Sequence, residues 1–356
     1  MQLKRILGQN HILTHFENAI KKDKISHAYI INGEEGSGKM QLAVHFAKAL
    51  QCEQNNPDTD DGNMSFDFLQ EESDSNEPKH IIGVSCGICK SCRQTDSGNQ
   101  PDIKYVSHEK AGIGVDEIRA QINEDIDIKP YSSRYKIYIV PDSEKMTVQA
   151  QNALLKTIEE PPKYAIIILL TTNADTFLPT ILSRCVLLNV KSVKEETITN
   201  YLKSEYGIGD YEARVAASFA NGNPGKAVKL AASEDFKELK QQVSGTLISL
   251  EKGGMDIIAG AVKAAGEFKK QIAEYFSLLR IWFRDMLMYK ASGNSENLIF
   301  QDDYMIIESM SQKFSYYDVD IILKSIEQAE RRINSNVNFD ATMEVLFLAI
   351  KERMRK

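Results

Sequence analysis

The stretch Ile30-Ile31-Asn32-Gly33-Glu34-Glu35-Gly36-Ser37-Gly38-Lys39-Met40 constrains this chain more than any other. It reads as a buried strand, a glycine loop and a helix start. Its spacing fits Gly-x-x-x-x-Gly-Lys-Ser/Thr at every fixed position except the last. The glycines let successive backbone N–H groups turn inward around phosphate oxygens. The helix that follows points its positive end at the same place. Lys39 adds a point charge. The last position ordinarily carries a hydroxyl that helps to hold Mg²⁺. Met40 stands there, and a thioether is a poor ligand for a hard cation. The candidate nucleotide site is thus Gly33, Gly36, Ser37, Gly38, Lys39 and Met40, degenerate at its metal-holding end. ATP or ADP binding is left open, and Mg²⁺ is not expected to be well held.

Downstream, strand and helix patterns alternate. Strands are expected over 103–107, 136–140, 164–171 and 186–190, that over 136–140 being an apolar run of buried parallel type. A helix capped by Asn10 is expected to precede the loop strand, with Ile12, Phe16 and Ile20 on one stripe. Helices are also expected from Gly114-Val115 and over 147–159. Alternation that starts from a phosphate loop predicts an α/β fold, with a parallel sheet covered on both faces. The strand Lys136 to Val140 ends in Pro141-Asp142-Ser143-Glu144. A working ATPase carries Asp-Glu here, one acid for Mg²⁺ and one to polarise water. Proline takes the first place and Asp142 the second, so the Mg²⁺ ligand set is damaged twice.

Cys86-Gly87-Ile88-Cys89-Lys90-Ser91-Cys92 holds two overlapping Cys-x-x-Cys spacings. Three thiolates converge, and Cys52 is the candidate fourth. Cys52, Cys86, Cys89 and Cys92 together suit a tetrahedral structural Zn²⁺ with no open position. Between Cys52 and Cys86 lie nine acids and one lysine, a charge of −8 against −7 for the whole chain, which leaves the remainder near +1. Residues 53–85 therefore read as an acidic, Asn/Ser-rich mobile insertion. The balanced remainder carries no broad basic footprint of a dominant nucleic-acid binder. No N-terminal leader is read, and the longest apolar run, 164–170, is too short to cross a bilayer. A cytoplasmic protein is expected.

After Val190 the pattern is helical throughout. Helices are expected over 195–206, 211–220 and 226–232, broken by Asn221-Gly222-Asn223-Pro224-Gly225. Tyr275, Leu278, Leu279, Trp282, Phe283, Met286 and Leu287 mark a later helix whose stripe is core. The last helix is expected over 339–354.

Several stretches together resemble one family. They are Gly8-Gln9, His27-Ala28-Tyr29, the cysteine knuckle, Asn152-Ala153-Leu154-Leu155-Lys156-Thr157-Ile158-Glu159-Glu160-Pro161-Pro162, Leu182-Ser183-Arg184-Cys185 and Asn336-Val337-Asn338. The chain is similar to the delta-prime family of bacterial DNA polymerase III clamp-loader subunits, within the AAA+ class. The resemblance implies three layers: a RecA-like P-loop domain over 1–190 that carries the insertion, a small helical lid over 191–234, and an all-α collar over 235–356 that assembles a ring of five subunits. It implies partners as well: motor and delta-type clamp-loader subunits and, through the complex, the sliding clamp and primer-template DNA. It makes Arg184 an arginine finger that acts in trans on a neighbour's ATP. The family's motor subunits carry Gly-x-x-Arg in the lid, whereas here Gly222-Asn223-Pro224 leads to Gly225. Hydroxyl, Mg²⁺ acid and lid arginine are missing while Arg184 is kept. The expectation is a DNA polymerase III component without ATP hydrolysis of its own. One alternative is a gamma/tau-type motor, which would hydrolyse ATP alone and lose that activity in Lys39→Ala. Another is a zinc-dependent nucleic-acid-binding module, which would bind DNA with a steep salt dependence.

Overall fold

The computed structural model describes residues 5–56, 82–108, 112–295 and 298–354. Of the acidic insertion read over 53–85, residues 57–81 lie outside the described residues. Contacts group the chain into two units, residues 2–194 with 223–226, and residues 195–222 with 227–356. The segment 195–222 groups by contacts with the C-terminal helices.

The first unit is an α/β domain. Its elements are α1 (Asn10–Lys21), β1 (Ala28–Asn32), α2 (Lys39–Gln51), α3 (Lys90–Asp96), β2 (Ile103–Tyr105), α4 (Val115–Ile118), β3 (Lys136–Val140), α5 (Val148–Glu159), β4 (Ala165–Thr171), α6 (Pro179–Leu182) and β5 (Val186–Asn189). The five strands are all parallel, in the order β2-β3-β4-β1-β5. This is the expected RecA-like arrangement, with the glycine loop leaving the end of an inner strand. Every residue of β3 and β4 is buried, which is why both read in the sequence as unbroken apolar runs.

Side chains alternate between two cores, as the pleat requires. Tyr29, Ile31, Ile137, Ile139, Ile166 and Ile168 pack with Phe16, Leu42 and Phe46 on one face. Ile30, Tyr138, Val140, Ile167 and Leu169 pack with Ile118, Ile122, Leu154 and Ile181 on the other.

Two local expectations are corrected. Asn10 is the first residue of α1 and not its cap. Gln9 is the cap residue, but its side chain makes no capping bond. That side chain is spent on β5's exit: Nε2 donates to Lys191 O at 2.6 Å and Oε1 accepts from Lys191 N at 3.0 Å. The helix begun at Val115 also loosens after one turn into a π-helical segment, Arg119–Asn123.

The second unit is all helical: α7 (Glu195–Tyr206), α8 (Asp210–Phe219), the body of α9 (Pro224–Ala231), α10 (Glu234–Lys252), α11 (Ile257–Glu267), α12 (Ile272–Ser292), α13 (Tyr304–Lys313), α14 (Tyr316–Asn334) and α15 (Phe339–Met354). Its core runs from Phe219 through Leu239, Trp282, Phe300 and Ile322 to Phe347. Trp282 meets Phe300 edge-on at 5.0 Å between centroids. Asp285 is fully buried on α12, and its Oδ2 accepts from the amides of Ile299 and Phe300 at 2.6 and 2.7 Å. No helix among the described residues is long and apolar enough to cross a membrane.

Candidate functional site

The phosphate loop joins β1 to α2. Gly36 and Gly38 adopt φ of 82° and 96°, a left-handed region open to glycine. Gly33 is needed for a different reason: a Cβ there would lie 2.8 Å from Cβ of Val190. Ser37 Oγ is buried and has no hydrogen-bond partner among the described residues. Lys39 Nζ donates to the carbonyls of Gly33 and Glu34. Burial pushes its pKa down, against the pull of Glu144, Asp142, Glu35 and Glu34. Met40 is half-buried and packs against the sheet core.

Around the loop, Asp142 takes φ 48° and its Oδ2 accepts from Lys145 Nζ at 2.9 Å. Glu144, which the sequence reading did not single out, accepts from Thr172 Oγ1 at 2.9 Å and Thr172 N at 3.2 Å. It links the end of β3 to the end of β4. Nothing in the local pattern marks it, because its partner is set by strand pairing. Asn223 was also missed. Its Oδ1 accepts from Lys226 N at 3.1 Å and so caps α9, while Nδ2 donates to Glu35 O at 2.7 Å.

Arg184 follows α6 and is 41% exposed. Its Nη2 pairs with Glu159 Oε1 at 3.0 Å. Its Nη1 donates to Thr180 O at 3.0 Å and to Ser183 Oγ at 3.2 Å. Glu159 is the last residue of α5, and Thr147 caps that helix by accepting from Ala150 N.

At the knuckle, the sulfur atoms of Cys52, Cys86, Cys89 and Cys92 lie within 4.8 Å of one another. Cys86 and Cys92 sulfurs are 3.9 Å apart. Four sulfurs at about 2.3 Å from a tetrahedral metal would be about 3.8 Å apart, so the cluster could hold a metal ion. Backbone N–H groups point at the sulfurs: Cys86 N to Cys52, Cys89 N to Cys86 and Cys92 N to Cys89, at 3.3–3.4 Å. Burial raises the Cys86 thiol, but the amides of Cys89 and Ile88 outweigh it and bring the pKa down to about 7. Burial pushes Cys52 and Cys92 up.

A family model described as DNA polymerase III, delta subunit, matches residues 8–66 and 59–194. A second, described as the C-terminal part of the DNA polymerase III delta chain, matches 234–351. The chain belongs to the DNA polymerase III delta-prime family. The Bacillus subtilis DNA polymerase III subunit delta-prime is 28% identical over 347 residues, 97% of this chain and 96% of that protein. The Bacillus subtilis subunit tau is 26% identical over 364 residues; the match spans 95% of this chain and 60% of that longer protein. Among solved structures, a DNA polymerase III gamma-subunit-related protein from Thermotoga maritima aligns over 96% of this chain and 99% of its own. It is 23% identical with a TM-score of 0.40.

Proposed function

We propose that this delta-prime family member works inside a clamp loader that places the sliding clamp on primed DNA. In that role it completes a neighbour's ATP site and does not turn over ATP itself. The observation that carries this reading is the contrast between Arg184 and the phosphate loop. The Arg184 guanidinium stands exposed at the end of α6. The loop has Met40 folded toward the core and Gly225 against Gly36. A guanidinium supplied in trans is worth about 10³–10⁵ in rate for phosphoryl transfer.

The partners are the motor and delta-type subunits of a five-subunit ring. The clamp and primer-template DNA are met through that ring. Residues 1–190 would serve as the P-loop domain, 191–234 as lid and 235–356 as collar. Cys52, Cys86, Cys89 and Cys92 would hold a structural Zn²⁺. The all-thiolate donor set, with Cys52 and Cys92 buried and Cys86 and Cys89 half-buried, fits zinc, and the metal would supply folding stability to the knuckle rather than chemistry.

The test is ATP hydrolysis by the chain alone and by a reconstituted loader with and without it. The isolated chain should show background turnover and the loader should be stimulated. Arg184→Ala should assemble normally and lose the stimulation. DNA-dependent hydrolysis by the isolated chain that disappears in Lys39→Ala would replace this reading with that of a motor subunit.

A further inference from the structure

We infer that Glu159 is the positioning residue of Arg184: it fixes the guanidinium so that its remaining donors face outward for an anionic group of a neighbouring chain. The inference rests on the proposed trans role of Arg184 and adds the group that aims it.

Local physics argues against an acid at position 159. It is the last residue of α5, where the helix presents its negative end and a carboxylate is disfavoured. Glu160 follows immediately and adds like charge, and Pro161-Pro162 then stops the helix. Burial does not call for glutamate, since the side chain is 41% exposed. What compensates the charge is the Arg184 guanidinium at 3.0 Å.

The geometry explains what the pair does. A guanidinium has five N–H donors in a planar fork. Thr180 O and Ser183 Oγ each accept from Nη1, while Glu159 Oε1 holds Nη2 as an ion pair at 3.0 Å. The N–H groups that these two acceptors leave over are enough for a bidentate contact to phosphate. Thr180 O and Ser183 Oγ both hold Nη1, at the root of the side chain's own turn. Only Glu159 holds Nη2, and it comes from a different helix. Without it, the fork can rotate about the Nη1 contacts, and the remaining donors lose their common direction. An exposed ion pair of this kind shifts an equilibrium by at most about fivefold. It is therefore strong enough to bias the rotamer and too weak to withhold the arginine from a triphosphate.

The test uses the reconstituted loader with its ATP-hydrolysing neighbours. Glu159→Ala should lower the stimulated kcat about two- to fivefold with KM for ATP unchanged, and Glu159→Asp should recover part of the loss. The gap between Glu159→Ala and wild type should narrow as ionic strength rises, because an exposed pair is screened. In an Arg184→Ala background, Glu159→Ala should cost nothing further. A circular-dichroism melt of each variant separates unfolding from mis-aiming. If Arg184→Ala abolishes stimulation and a folded Glu159→Ala does not reduce it, the positioning role is wrong and the finger stands. If Arg184→Ala itself has no effect, the trans role fails first.

Discussion

The amide of Gly225 donates to the carbonyl oxygen of Gly36 at 3.0 Å, so Gly225 lies on the phosphate loop. A Cβ at position 225 would come within 2.4 Å of that oxygen and 2.8 Å of Gly36 Cα. Both are backbone atoms and cannot swing aside. The position is therefore closed to any side chain while this contact holds, which is a stronger statement than the absence of an arginine. Gly225→Ala should destabilise the N-terminal unit by about 1–3 kcal/mol, the usual cost of overpacking. Amide exchange at residues 34–38 should rise as the 223–226 segment lifts. A variant with unchanged melting and unchanged exchange would show that the contact is dispensable.

Gln9 is 1% exposed, and its amide makes both hydrogen bonds to the backbone of Lys191 across 182 residues of sequence. Replacing it by alanine leaves the N–H and C=O of Lys191, an exposed residue, without these partners. Each lost hydrogen bond costs about 0.5–1.5 kcal/mol net. Gln9→Ala should thus lower stability by about 1–3 kcal/mol, while Gln9→Glu should keep the acceptor half only. Denaturant midpoints of the two variants check this.

The sequence shows why some features were legible and others were not. β3 and β4 are buried along their whole length, so apolar runs announced them almost to the residue. The glycine loop and the cysteine knuckle are local in sequence and were equally plain. Gln9 was passed over because Asn10 is the better intrinsic cap, and the competing bond to Lys191 arises only once β5 is in place. Glu144, Asn223 and Glu159 owe their roles to partners 28, 188 and 25 residues away, respectively Thr172, Glu35 and Arg184. No spacing rule reaches that far. Gly225 was seen as a gap in a motif, because a close backbone approach leaves no pattern except the glycine itself.

Trp282 is the chain's single tryptophan and is fully buried in the C-terminal core. Its emission should be blue and should report unfolding of that unit. The cysteine cluster belongs to the other unit. Chelation of a bound metal, or Cys89→Ser, should therefore lower the melting temperature seen by circular dichroism and leave the Trp282 emission maximum in place. Metal content should fall from one equivalent toward zero in Cys89→Ser. A shift of Trp282 emission on chelation would mean that the two units unfold together.

Asp285 offers a pH test with a definite sign. Burial pushes its carboxyl above the ordinary value of 3.8, against the lowering effect of the Phe300 amide, the Arg284 charge and the Ile299 amide. The folded state then holds the proton at pH values where the unfolded chain has released it. Since ∂ΔG/∂pH follows the difference in bound protons, unfolded minus folded, this group lowers stability as pH rises from 3.8 through the folded pKa, and its contribution is constant above that. Asp285→Asn keeps an acceptor for Ile299 and Phe300 and removes the charge. Its stability relative to wild type should be greatest above the folded pKa and should shrink as pH falls through that pKa toward 3.8, as the wild-type carboxyl takes up its proton in the fold. Asp285→Ala has no acceptor, leaves both amides unpaired and should lose about 2–4 kcal/mol. Urea midpoints read from Trp282 across this range decide the matter: a gap between Asp285→Asn and wild type that does not change with pH would show that Asp285 is not titrating in the folded core.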